Sequence, residues 1–217
     1  MTSKHNHRIL LAILFTGFAF QVFCQVDTTK SSSQNLLDDI ISGQDDSTAL
    51  LPDKMPYTQR VLWGQKGVMR NFDFFELTPQ KRQRELNLRR NMLVTHQVAG
   101  FITLGSMVAQ GIVGAQLYSG RNNLKDAHSM LGVGVNVAYF TTAGLSLFAP
   151  PKMLDDRKGY SSIKLHKILA FVHFSGMILT NVLASQLESN SNLKPYHRAA
   201  AFTAFGAFAA SIVVIKF

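Results

Sequence analysis

Apolar positions are not scattered along the 217 residues. They gather into four long runs near 92–118, 128–149, 163–187 and 196–217. Each is as long as the roughly 20 residues a helix needs to cross about 30 Å of hydrocarbon. The runs predict four transmembrane helices. The gaps between them (SGRNNLKDA, PPKMLDDRKGYSS, ESNSNLK) are short. Short gaps force consecutive helices to be antiparallel neighbours, so the expected fold is an all-α membrane protein built on a four-helix transmembrane bundle. Gly100, Gly105, Gly111 and Gly114 in the first run, Gly132 and Gly134 in the second, and Ala199 to Ala201 with Gly206 in the fourth are small residues. Such residues permit close helix approach in lipid, or leave room for a flat group between helices.

The region before the first long run is divided. Lys4 and Arg8 precede an apolar stretch from Ile9 to about Cys24, which turns polar at once. This is the pattern of a cleavable signal over 1–24, with Val22 and Cys24 at the small-residue positions and Gln25 left first. An uncleaved anchor is the other reading, although 16 residues is short for a span. Lipidation of Cys24 is disfavoured by the bulky Phe23 before it. Residues 25–56 are rich in Ser, Asp and Thr and read as a flexible polar tether. Residues 57–91 form an interfacial or juxtamembrane segment. Its first part combines Trp63, Phe72, Phe74 and Phe75 with Arg60, Lys66 and Arg70. That mixture suits either a membrane interface or packing on the bundle. Thr78 as N-cap and Pro79 at the first helical position then open a basic helix that leads into the first span.

Composition narrows the chemistry. The chain is 47% hydrophobic, with mean hydropathy +0.08 and a formal net charge of +9. The basic residues stand at the ends of apolar runs, where they meet lipid headgroups or anionic cofactor groups, so a nucleic-acid partner is not expected. A single cysteine, Cys24, excludes an internal disulfide, a Cys-ligated zinc site and a cysteine-held iron–sulfur cluster. Glycine-rich nucleotide fingerprints, HExxH and GxSxG are all absent from the sequence. Its paired acids, Asp38/Asp39, Asp45/Asp46 and Asp155/Asp156, fall in polar segments where solvation accounts for them.

Histidine is the residue that repeats. His96, His128, His166 and His197 each stand near the start of one apolar run, at spacings of 32, 38 and 31 residues. Because antiparallel helices alternate in direction, His96 and His166 fall on one membrane face and His128 and His197 on the other. Ionisable groups in a membrane are costly and are usually kept for a pathway or a ligand. Two neutral imidazoles on facing helices can supply both axial bonds of a haem iron, so the pairs point to two b-type haems, one near each face. Arg90 and Arg89 near His96, Lys164 and Lys167 beside His166, Lys125 near His128, and Lys194 and Arg198 beside His197 are placed to pair with haem propionates. His173 lies on the same helical face as His166 but about 10 Å deeper. It reads as a packing or hydrogen-bonding group and is the reserve ligand should His166 not serve. Taken singly, each histidine is an ordinary interfacial or capping group. A cofactor-free structural or assembly membrane protein is therefore the alternative.

The four-histidine pattern over 92–217 resembles the cytochrome b561 family. That resemblance implies a four-helix core with two b-type haems, the first core helix paired with the third and the second with the fourth, and transmembrane electron transfer. It also implies a donor such as ascorbate or a quinol. No ascorbate-site motif is visible, so a membrane quinol is the first expectation for the donor, and the polar segment 25–75 is a candidate docking site for an exported redox partner. The signal pattern places the N-terminal segment on the exported side of a bacterial inner membrane. The basic residues Lys81, Arg82, Arg84, Arg89 and Arg90 argue the other way, because positive charge favours the cytoplasmic side. The signal acts first during export and sets the expectation.

Overall fold

The structure, a computed structural model, describes residues 50–153 and 161–216. The signal segment, the tether as far as residue 49, and Asp155 and Asp156 lie outside the described residues. Helix α1 spans Tyr57–Trp63, α2 Pro79–Tyr118, α3 Lys125–Leu147, α4 Ser162–Gln186 and α5 Lys194–Lys216. Short 3-10 turns at Val68–Asn71, Asp73–Phe75, Asn122–Leu124 and Ser191–Leu193 connect them. The elements described are all helical. Helices α2 to α5 are long and apolar enough to cross a membrane.

Helix α2 begins where expected, with Thr78 Oγ1 accepting from the Lys81 backbone N–H at 3.3 Å and Pro79 in the first turn. It does not stop at the start of the apolar run. The basic helix and the first span are one 40-residue rod, about 60 Å long at 1.5 Å per residue. Its first turns therefore project beyond a 30 Å hydrocarbon layer.

Helices α2 and α3 close into one antiparallel hairpin and α4 and α5 into another, and the two hairpins touch each other far less than their own helices do. Small residues make the closures possible. A Cβ on Gly176 of α4 would stand 3.1 Å from the Ala204 Cβ of α5. A central layer of Met107, Val135, Tyr139, Met177 and Phe208 joins the hairpins, with Leu104, Phe174, Phe205 and Ile212 packed around it. Across the same seam Asn136 and Asn181 exchange amide hydrogen bonds at 3.0 and 2.7 Å. Each amide also donates to the carbonyl four residues back, which leaves neither group unpaired in an apolar setting. Ile102, Ile112, Val133, Val137, Ile168, Phe171 and Val213 are exposed on the outer faces. A surface of that kind matches lipid and not water.

Residues 50–78 form a cap on the end of the bundle where α2 projects and α3 ends. The chain after Leu147 runs through Phe148, Ala149, Pro150 and Pro151, and it offers the orphan carbonyls of a helix C-terminus next to two residues without N–H groups. The cap and the first turns of α2 supply the donors. Thr58 Oγ1 donates to the Leu147 carbonyl at 3.0 Å and Trp63 Nε1 to that of Phe148 at 2.9 Å. Arg89 donates to Pro150 and Arg82 to Pro151, both at 2.6 Å. Arg82 also holds the Leu50 carbonyl at 2.9 Å. Arg82 and Glu85 are fully buried and paired at 2.6 Å, and Glu85 pairs in addition with Arg70. On the outer side Lys81 binds Glu76 at 2.6 Å, and that hydrogen bond holds the Glu76 carboxyl below the usual carboxylate range.

Two boundaries read from the sequence change. Residues 50–56, expected as the end of the tether, begin the packed structure: Leu51 and Pro52 are buried, because Arg82 needs an acceptor from this strand of chain. Trp63, which suited an interface or the bundle equally, is buried against Phe75 at 5.2 Å, while Phe72 and Phe74 stay exposed. The aromatic segment thus divides residue by residue, Trp63 packing inward and Phe72 and Phe74 facing outward.

Candidate functional site

Four inward stripes carry the chemistry. On α2 the stripe runs His96, Gly100, Thr103, Met107, Gly111, Gly114, spaced three or four residues apart and so on one helical face. On α4 it runs His166, His173, Met177, Thr180. Helices α3 and α5 contribute His128, Val135, Tyr139 and Thr142, and His197, Ala204, Phe208 and Ser211. The structure brings the predicted pairs together. The ring centres of His96 and His166 are 6.4 Å apart, and those of His128 and His197 are 6.5 Å apart. In both pairs the ring planes are near perpendicular, at 86° and 79°. Each pair bridges the two hairpins.

Along the axis the pairs are well separated. His197 is level with Thr180 and His166 with Ser211 through their hydrogen bonds, and Thr180 lies fourteen residues beyond His166 on α4. Fourteen residues of helix are about 21 Å. The interval is filled by the central layer, where Tyr139 and His173 meet in a 2.6 Å hydrogen bond between the phenol oxygen and Nδ1. Phe208 packs on that His173 ring at 5.1 Å. His173 is buried and lies apart from both pairs, engaged as a hydrogen-bonding group. On α2, Thr103 is engaged by Thr142 at 3.2 Å.

Three of the four paired histidines have Nδ1 on a main-chain carbonyl. His96 binds Thr142 O at 2.7 Å, His166 binds Ser211 O at 3.0 Å and His197 binds Thr180 O at 3.0 Å. A carbonyl only accepts, so Nδ1 carries the proton in the neutral ring and Nε2 is left with its lone pair. This is the orientation by which a protein presents imidazole to a metal. The spacing agrees with that use. A metal–imidazole bond of about 2.0 Å, with each nitrogen about 1.1 Å from the centre of a five-membered ring of roughly 1.33 Å sides, sets two rings on opposite sides of one ion about 6.3 Å apart. Direct ring contacts elsewhere in the bundle run from 5.1 to 6.2 Å.

Room beside the rings is available on α2. A Cβ on Gly111 would meet nothing within 4 Å although the residue lies on the inward stripe, and one on Gly100 would meet only Thr142 Cγ2 at 3.9 Å. Gly114 is different: a Cβ there would stand 2.8 Å from His128 Cε1, so glycine is what admits this ring. Among the described residues no group of three or more His, Cys, Asp or Glu side chains is gathered for a metal ion. A metal held here would rest on two imidazoles and on equatorial ligands from elsewhere.

The basic residues divide. Arg90 and Lys164 are half-buried beyond the His96–His166 pair. Arg89 is engaged by the Pro150 carbonyl. Beyond the other pair, Lys125 reaches Glu188 at 3.4 Å across exposed loops, and the Arg198 guanidinium lies 4.6 Å over the Tyr118 ring and 5.6 Å from that of Phe202. Sequence reasoning missed Tyr139, Gln110 and the Arg70–Glu85–Arg82 cluster. For the cluster a signal exists: Glu85 is the one acid in α2, three residues after Arg82. Compared with protein-family models, curated proteins and solved structures, the chain matches none.

Proposed function

We propose that this protein is a membrane electron carrier holding two b-type haems, one between His96 and His166 and one between His128 and His197. The reading is carried by the two histidine pairs, each drawn from opposite hairpins at 6.4 and 6.5 Å. That is the separation of two imidazoles on one metal, and it recurs at both ends of the bundle. Each bound haem supplies a reversible one-electron couple. The chain's own part is to present Nε2 of the paired rings, to hold their Nδ1 protons on the carbonyls of Thr142, Ser211 and Thr180, and to exclude water with the Tyr139–His173–Phe208 layer. Gly100 and Gly111 keep α2 free of side chains on the stripe along which a flat macrocycle would lie. Arg90 and Lys164 at one end, and Lys125 and Arg198 at the other, are the cations for its propionates.

Electrons pass from one face to the other, from a membrane quinol to an acceptor on the opposite side. In a bacterial inner membrane the cap of residues 50–78 stands on the exported side and is the docking surface for an exported redox partner. Four crossings return the end of α5 to that same side. A reporter fused after residue 217 should therefore be active outside the cytoplasm, and a cytoplasmic signal overturns the orientation.

The deciding experiment is a reduced-minus-oxidised spectrum with haem quantification on protein purified from haem-replete cells. Two low-spin b-type haems per chain are expected. The alternative, a cofactor-free scaffold, draws on one observation: the bonds from His96, His166 and His197 to carbonyls each tie the two helices of one hairpin together. A colourless, monodisperse preparation leaves that reading in place and removes this one.

A further inference from the structure

The four paired histidines are not equivalent. Three have a backbone acceptor for Nδ1, and His128 does not: its Nδ1 is buried without a hydrogen-bond partner. Beside it is a second orphan, the buried Oε1 of Gln110. The two side chains are in contact. Gln110 Nε2 donates to the His128 backbone carbonyl at 3.0 Å and stands 3.4 Å from His128 Nε2. Both are fitted against glycine: a Cβ on Gly114 would meet the His128 ring at 2.8 Å, and one on Gly132 would meet Gln110 Nε2 at 3.2 Å.

Buried polar atoms are rarely left unpaired, and here an unpaired acceptor and an unpaired ring nitrogen belong to neighbouring side chains. In the arrangement described, the Gln110 amide N–H faces the nitrogen that a metal would need. A neutral imidazole that gives Nε2 to a metal must carry its proton on Nδ1, which makes Nδ1 a buried donor in want of an acceptor. Gln110 Oε1 is an unpartnered acceptor on the side chain that already touches this ring.

We propose that Gln110 is the positioning residue of His128, its side-chain oxygen taking the Nδ1 proton that a main-chain carbonyl takes in the other three histidines. This rests on the haem reading above and deepens it. The consequence is an asymmetry between the two centres. A main-chain carbonyl acceptor is fixed by the fold, whereas a side-chain acceptor sets ligand basicity by its own chemistry. The potential of the His128–His197 centre is therefore tuned by one side chain, and that of the His96–His166 centre is not.

The test is redox potentiometry on the purified holoprotein, followed by visible spectra, with a His96→Ala background to isolate the His128–His197 centre. Gln110→Glu offers a stronger acceptor and should lower the midpoint of that centre alone. Gln110→Leu removes the acceptor, and should raise the same midpoint and weaken haem retention at that site about 10- to 100-fold, read by transfer to excess apomyoglobin. Gln110→Asn keeps the amide but draws it back, and guards against a folding defect in the leucine variant. It should fall between wild type and Gln110→Leu. Two retained haems with both midpoints unmoved in Gln110→Glu and Gln110→Leu would overturn the role of Gln110 while leaving the haem reading intact. A wild-type preparation without haem overturns both.

Discussion

Replacing His173 and His166 separately tests the ligand assignment most sharply, because the two rings lie on one face of α4 and differ only in depth. Seven residues separate them, a rise of about 10 Å. A ligand to the centre shared with His96 must stand opposite His96, and His166 does so at 6.4 Å. His173 is instead bonded to Tyr139 at 2.6 Å inside the packed layer. His166→Ala should thus reduce the haem content from two per chain to one, and His96→Ala should do the same. Combining them should lose nothing further, since both remove the same centre. His96→Ala with His128→Ala should lose both haems. His173→Ala leaves the Tyr139 hydroxyl unpaired in a dry layer, which costs about 1–3 kcal/mol, so it should lower the melting temperature while keeping both haems. Pyridine haemochrome quantification against protein concentration reads the stoichiometry, and a melt in detergent reads the stability. Loss of one haem in His173→Ala with full retention in His166→Ala would refute the depth argument.

Three further outcomes are expected. Glu85→Gln leaves Arg82 and Arg70 buried without their counter-charge and should cost about 3–5 kcal/mol, seen as a lower melting temperature with increased proteolysis of residues 50–78; an unchanged melt would mean the cap is not held by this cluster. Gly114→Val drives a branched side chain into the His128 ring, already at 2.8 Å from the position of a single Cβ, and should remove the His128–His197 haem selectively, whereas equal loss of both centres would point to general misfolding. Asn136→Leu leaves the Asn181 amide half-satisfied and should cost about 1–3 kcal/mol; Asn136→Leu with Asn181→Leu should be closer to wild type than either single change, and strict additivity of the two would show that the pair is not coupled.

The parts of the fold legible in the sequence are those governed by periodicity and length. The spans follow from runs of about 20 apolar residues, and the antiparallel order from loops too short for anything else. The register of the histidines follows too, because a rise of 1.5 Å per residue turns offsets along the chain into depths. Contacts set by tertiary approach were not legible. Nothing in the apolar run around Thr142 or Ser211 announces that their carbonyls receive His96 and His166. Main-chain acceptors have no residue signature, and they become available only where two helices cross. Tyr139 is hidden for a related reason, since a tyrosine in a membrane helix reads as an interfacial anchor until the packing shows it on His173. The cap eluded the sequence because its key groups, Arg82 and Glu85, look like exposed helix charges. They are buried only because the Pro150–Pro151 turn presents carbonyls that no local N–H can satisfy.

The division of labour among the histidine nitrogens leads to one more consequence. Among the paired histidines each observed Nδ1 bond lies within a hairpin, from α2 to α3 or between α4 and α5, whereas the two rings of each pair meet across the seam. Where the hairpins touch directly, the central layer and the Asn136–Asn181 pair carry the contact. Metal bonds would then add a tie between the hairpins on either side of that layer, joining the Arg198–Tyr118 contact and the Lys125–Glu188 pair at one end. A ligand that binds only the folded form stabilises it by about 4 kcal/mol when present at 1,000 times its Kd. Removing haem should therefore lower the melting temperature, and the loss should be local in a defined way. Amide exchange should rise at the ends of the seam, around His96, His128, His166 and His197, and rise least around Tyr139 and Asn136. Hydrogen-exchange mass spectrometry of haem-replete and haem-depleted protein in the same detergent reads that difference. Uniform exchange along all four helices in the depleted protein would mean that the hairpins are not independent units and that the seam has no special dependence on the bound group.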